Sequence, residues 1–284
     1  MNPQYASNPK TSKTLIMMDN LFDYAEACLH NADIAEKLAL THEAKARFCR
    51  GELSLASLHP PADIGRILFP AQPQLLPPRL VPNRKLTQPG GVGAFFHAIA
   101  HIEFMAVYLA WDILYRFRGL PDAFYQDWLT VADEEAQHFE LICQHLAGLG
   151  LAYGDLSAHG GLWDHAKDTA GDVLARLALV PRCMEARGLD VTPGIISKFK
   201  QMGDAASAAL LGRILADEVG HVERGSYWFK WCCLQQGLDP ESHYQQMLKQ
   251  YYQGGRPKGP FNREMRIIAG FSDTELDWLE DSSQ

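Results

Sequence analysis

No stretch of this 284-residue chain reaches the roughly 18 consecutive apolar residues that a membrane-crossing helix needs. Asp19, Asp23 and Glu26 break up the apolar N-terminal region, and no secretory leader is visible. There is no Cys-x-x-Cys pair: the six cysteines, Cys28, Cys49, Cys143, Cys183, Cys232 and Cys233, read as reduced residues scattered through helical stretches. A basic excess is also missing. With 26 Lys and Arg against 34 Asp and Glu, the net charge is −8, which argues against broad nucleic-acid binding. These absences together lead to the expectation of a cytoplasmic protein with no membrane partner. Hydrophobic content of 47% supplies ample material for a core.

What is present is a repeated pattern. Glu135–His138 and Glu218–His221 are Glu-x-x-His steps, and a lone glutamate precedes each at nearly the same distance, Glu103 by 32 residues and Glu185 by 33. In a sequence of this composition about 0.6 such steps arise by chance, so one carries nothing and the matched pair carries the argument. An i, i+3 spacing puts a carboxylate and an imidazole on one side of a helix. Two such helices, with two more offering one glutamate each, supply the inward ligand set of a di-iron or di-manganese carboxylate bundle.

The neighbouring residues place these acids on core faces. The helical stripe through Glu103 runs Phe96, Ile99, Ala100, Val107, Ala110 and Leu114. The one through Glu135 and His138 runs Trp128, Val131, Ala132, Ile142 and Leu146. That through Glu218 and His221 runs Leu211, Ile214, Leu215, Val222, Gly225 and Phe229. An ionised carboxylate buried there without a partner costs several kcal/mol, roughly, and a bound dication removes that cost. The competing reading is a structural network of His–Glu hydrogen bonds. Glu185 fits least well, because Pro181 precedes it and Gly188 and Val191-Thr-Pro193-Gly194 follow, so a helix end is expected close to it.

Three regions are expected within one compact all-α unit. Residues 1–91 comprise a loose start (1–13), a helical stretch over 14–58 stopping at Gly51, and a proline-rich arm over 59–91. Residues 92–238 form a four-helix bundle, with helices over 92–117, 122–148, 164–187 and 204–237 and a short helix near 195–202. Residues 239–284 form a helical extension, in which Ser272-x-x-Glu275 marks a capping-box helix start. The turn after the first bundle helix lies equally far from Glu103 and Glu135, so an antiparallel hairpin brings the two level.

Other polar residues take supporting roles. His101 points about 200° away from Glu103 on an ideal helix. His97 and His101, one helical turn apart, are expected to serve as helix–helix contacts or as partners of ligands. Asp217 and Glu223 could orient His138 or His221, Tyr108 and Trp111 belong to the core, and Asp155 and His159 could line an entrance.

Several segments resemble one family: His97-Ala-Ile-Ala-His101-Ile-Glu103, Asp133-Glu-Glu-Ala-Gln-His138-Phe, Tyr153-Gly-Asp155, Glu185-Ala-Arg-Gly-Leu-Asp-Val-Thr-Pro193, and Asp217-Glu-Val-Gly-His221-Val-Glu223. The chain is similar to the ferritin-like proteins of unknown function designated domain-of-unknown-function family 455. The resemblance runs from the proline-rich arm to Gly259-Pro-Phe-Asn262. It implies a ferritin-like four-helix bundle and a metal site but no particular reaction, since the wider superfamily spans iron stores, ribonucleotide reductase subunits, monooxygenases and a tRNA hydroxylase. The expected ligands are Glu103, Glu135, His138, Glu185, Glu218 and His221, holding two Fe ions, with Mn as the alternative. No residue beyond these is assigned a catalytic role. The expected activity is a dioxygen-using oxidoreductase; a non-catalytic storage or sensing protein and a tRNA-modifying hydroxylase are the alternatives. Expected partners are an unidentified small-molecule or RNA substrate and, as an open possibility, a second copy of the chain.

Overall fold

The computed structural model describes residues 18–56, 59–82, 85–253 and 255–281. The loose start expected over 1–13, and the first residues of the helix expected over 14–58, lie outside that range. The described residues are helical with no β-strand; Asn20–Ser54 and Leu75–Ala158 are isolated bridges.

Two short helices come first among the described residues, α1 (Leu21–Leu29) and α2 (Ile34–Cys49), where one continuous helix was expected. The break has a local cause: Asp33 accepts from the backbone N–H of Glu36 and so begins a new helix. The proline-rich arm then runs extended along the body. The Tyr108 hydroxyl donates to Leu68 O (2.7 Å), Tyr115 accepts from the Ala62 N–H (3.0 Å), and Leu76 pairs with Ala158 (2.8 Å).

The longest helices are α3 (Gly91–Arg116), α4 (Asp122–Gly148) and α8 (Ala205–Gln235). A short turn joins α3 to α4 as an antiparallel hairpin, closed by Tyr125, whose hydroxyl accepts from Leu120 N–H and donates to Phe117 O. By length and apolarity α3 could cross a bilayer, although no unbroken apolar run marks it in the sequence. Here it is a core helix packed by α1, by α4 and by α5 (Gly161–Asp168).

The remaining long element departs most from expectation. Instead of one helix over 164–187 and a separate short one near 195–202, α5 ends first. Asp172 then caps α6 (Val173–Leu179), which passes through a π-helical segment, Val180–Glu185, into α7 (Ala186–Gln201) without a gap. Glu185 therefore sits inside a helix and not at its end. Gly188, Pro193 and Gly194 all lie within α7.

The residues that make this possible come from the C-terminal helices α9 (Pro240–Tyr251), α10 (Arg263–Ile268) and α11 (Asp273–Glu280). Pro193 cannot bond the Leu189 carbonyl one turn back, and the Asn262 side-chain amide donates to that oxygen instead (3.4 Å). Tyr244 donates to Arg182 O in the π segment (3.2 Å). The buried Arg182 guanidinium reaches both oxygens of Glu275 at 2.8 and 2.9 Å, while Arg266 is paired with Asp190 (2.8 Å). Glu275 also closes the capping box with Ser272, so that motif ties α11 to the π segment as well as starting a helix.

α8 approaches the π segment closely because it has no side chain at the crossing. A Cβ on Gly225 would lie 2.4 Å from Cβ and 2.6 Å from Cγ of Pro181. Gly225→Ala should therefore destabilise the protein by about 1–3 kcal/mol in denaturant unfolding. Gly212→Ala, on the same helix with nothing nearby, should stabilise it by about 0.5–1 kcal/mol through helix propensity. Equal stability of Gly225→Ala and the parent would show that the two helices separate freely.

Candidate metal centre

Ligand atoms of Glu103 (α3), Glu135 and His138 (α4) and Glu218 (α8) lie within 4.8 Å of one another. Glu103, Glu135 and His138 are buried, and the Glu218 side chain is 13% exposed. This cluster of acids and imidazole is able to hold a metal ion. His221 completes it from α8: its Nδ1 is 3.0 Å from Glu135 Oε1 and 3.4 Å from Glu218 Oε1. His138 Nδ1 is 3.1 Å from Glu103 Oε2 and 3.7 Å from Glu135 Oε2. Glu185 enters from the π segment. The residue as a whole is half-buried, but its Oε2 is fully enclosed.

Three enclosed atoms in this cluster have no hydrogen-bond partner among the described residues: Glu135 Oε2, Glu185 Oε2 and His221 Nδ1. His221 Nδ1 stands close to two carboxylates yet is aligned with neither. Buried polar atoms left this way are rare, and three in one place on glutamate and histidine fit the donor set of a metal ion.

The outer nitrogens of the two imidazoles are held crosswise. His138 Nε2 is 3.0 Å from Asp217, the residue before Glu218, and His221 Nε2 is 2.9 Å from Glu134, the residue before Glu135. Each acid-Glu-x-x-His segment thus supplies its neighbour's supporting carboxylate. Arg224 backs Glu134 at 3.4 Å. A proton kept on Nε2 by these acids leaves the Nδ1 lone pair facing the cluster. Asp217 was among the expected orienting residues, and Glu223 was too, but Glu223 is exposed and has no contact with either histidine. Glu134 was missed. Its equivalence to Asp217 in the two aligned segments was the available signal.

His97 and His101 lie outside the cluster. The His97 ring accepts from the backbone N–H of Gly154 (3.0 Å), and His101 joins the Tyr153 hydroxyl (2.9 Å) and His159 O (3.1 Å). Both fix the α4–α5 connection onto α3. Tyr108 and Trp111 are core residues, with the Trp111 indole donating to Thr41. Asp155 accepts from Ala152 N–H, while His159 lines a cavity beside the cluster.

Without a cation the cluster must hold protons. Burial, then the charge of Glu135, pushes the Glu103 carboxyl well above the usual range. Burial, then the charges of Glu218 and Glu135, pushes Glu185 up to about 8. Burial opposes ionisation of Glu135 too, but the imidazoles of His138 and His221 outweigh it and hold Glu135 well below its ordinary value. Against burial, Glu103 and then Glu135 lift His138 to about 11, and Glu218 with Glu134 and Glu135 lifts His221 well above 6.5.

The carboxylates line one wall of a cavity of about 220 Å³. Its other walls are mostly apolar, formed by Phe95, Ile99, Ile195, Leu211, Ile214 and Leu215, with Arg187 and Thr192 at their edge.

The raised Glu185 carboxyl makes a stability prediction. Its contribution is fully present below the unfolded-state value near 4.5 and is lost as pH rises through about 8. Glu185→Gln should therefore stabilise the metal-free protein on the order of 2–4 kcal/mol at pH 8, and by less than about 1 kcal/mol at pH 5. Thermal unfolding at the two pH values checks this. A variant destabilised at pH 8 would mean that Glu185 is ionised and internally paired.

Comparison with known proteins is consistent with this reach of sequence. Residues 30–277 match the family described as "Protein of unknown function (DUF455)". A protein of Haemophilus influenzae (strain ATCC 51907 / DSM 11121 / KW20 / Rd), described as "Uncharacterized protein", is 44% identical over 223 residues, covering 76% of this chain and 77% of its own length. No solved structure matches. On the extent of the family match and the identity to this relative, the chain belongs to the DUF455 family.

Proposed function

We propose that the protein is a di-metal oxidoreductase or oxygenase of ferritin-like architecture, using dioxygen on an organic substrate. The observation that carries this reading is the joining of the orphaned Glu/His cluster to an apolar cavity. A storage protein needs a hydrophilic space for ions and mineral, whereas walls of Phe95, Ile99, Ile195, Leu211, Ile214 and Leu215 suit an apolar molecule.

Glu103, Glu135, His138, Glu185, Glu218 and His221 would hold the metals. Four carboxylates balance two dications, which a buried site tolerates, and the mixed oxygen and nitrogen donors suit iron or manganese. When bound, such a pair supplies two-electron redox chemistry and open positions for dioxygen.

The chain's own residues prepare that site. His138 and His221 give up the Nδ1 proton on loading, while Asp217 and Glu134 retain the Nε2 proton. The protons on Glu103 and Glu185 must also leave. The Asp217 side chain is 43% exposed and Glu134 30%, which connects the buried imidazoles to solvent. The apolar cavity walls exclude water from the carboxylates and position a substrate against them.

The protein purified without chelators or metal-affinity steps, then loaded anaerobically with ferrous or manganous ion, should hold about two irons or manganeses per chain. It should also consume dioxygen when reduced. Glu135→Ala and Glu218→Ala should each lose metal and dioxygen uptake together. One zinc per chain, or no retained metal after loading, would contradict the proposal.

A further inference from the structure

A second and larger cavity, about 480 Å³, adjoins the carboxylate-lined one. The two share Ile102, Met184 and Arg187, which form the partition between them. Three separate regions outside the carboxylate-bearing helices contribute to its wall: Pro78 and Val81 from the arm, Leu162 from α5 and Tyr252 and Lys258 from the C-terminal loop. Segments that extensive, converging on one apolar space, build a binding site and not a packing defect.

The charge on the wall is one-sided. The chain carries 34 acidic against 26 basic residues, yet among the described residues Arg187 and Lys258 line this cavity and no Asp or Glu does. Arg187 is 44% exposed, touches Asp190 only at 3.6 Å and donates to Pro260 O, so most of its donors remain available. Asp190 itself is committed to Arg266. Lys258 makes no ion pair among the described residues. His165, also on the wall, has an enclosed Nδ1 with no hydrogen-bond partner there.

From this we infer that the cavity binds an amphiphilic organic anion, a molecule with an apolar body and one carboxylate or phosphate headgroup held by Arg187 and Lys258. The inference rests on the oxidoreductase reading and names its substrate class. The headgroup stays at the cationic wall, where Arg187 and Lys258 hold it. The apolar end passes Ile102 and Met184 into the smaller cavity, where apolar walls receive it. The carbon presented to the cluster is therefore one remote from the charged group.

Calorimetric titration of the metal-free protein with decanoate, decyl phosphate and decanol tests this without turnover. At least one of the two anions should bind saturably at one site per chain, and more tightly than decanol. The double substitution Arg187→Gln, Lys258→Gln should weaken the anion about tenfold or more and leave decanol unchanged. The same double variant should retain metal as the parent does after anaerobic ferrous loading, so failure of the metal reading and failure of this one are separate results. Binding of neither anion, or equal binding by the double variant, would overturn the inference.

Discussion

Four glutamates directed into one apolar interior are the constraint from which the rest of this molecule follows. At neutral pH their mutual repulsion and desolvation cannot be borne unless something positive sits among them. Without a cation, His138 and His221 take up protons, and Glu103 and Glu185 keep theirs. That compromise leaves three enclosed polar atoms unpartnered. A bound metal ion would satisfy such atoms and displace protons from them.

Bringing the fourth carboxylate into place requires an irregular helix, and this explains the C-terminal extension. The π segment ending at Glu185 carries Pro181, and α7 carries Pro193, so backbone groups along this element lack their ordinary partners. Tyr244, Asn262, Arg266 and Glu275 all act on that element or on side chains it carries. Gly225 on α8 allows the close approach that presses it inward. π segments of this kind recur at functional sites, where they turn a side chain that regular α geometry would point elsewhere.

Much of this was legible before folding. The boundaries of α3, α4 and α8 follow from punctuation next to them in the chain, such as Gly119 and Pro121. Glu103, Glu135, His138 and Glu218, which the fold brings together, were legible from the repeated Glu-x-x-His steps and from acids interrupting apolar stripes. What was not legible depended on distant residues. Pro181 argues locally for a kink before Glu185, and Gly188, Pro193 and Gly194 for a helix end after it; only side chains some 60 to 90 positions later override them. The crosswise support of the imidazoles was hidden for a similar reason: Glu134 stands next to a ligand but serves the histidine of another helix.

The most direct test of the central claim is anomalous scattering from crystals of the loaded protein, collected at the iron and manganese edges. The account predicts two peaks about 3.5–4 Å apart, ringed by Glu103, Glu135, His138, Glu185, Glu218 and His221. A protein that gives no peak after anaerobic ferrous or manganous loading, with Glu103 hydrogen-bonded to His138 as in the metal-free form, would show that the cluster is a structural network and contradict the account.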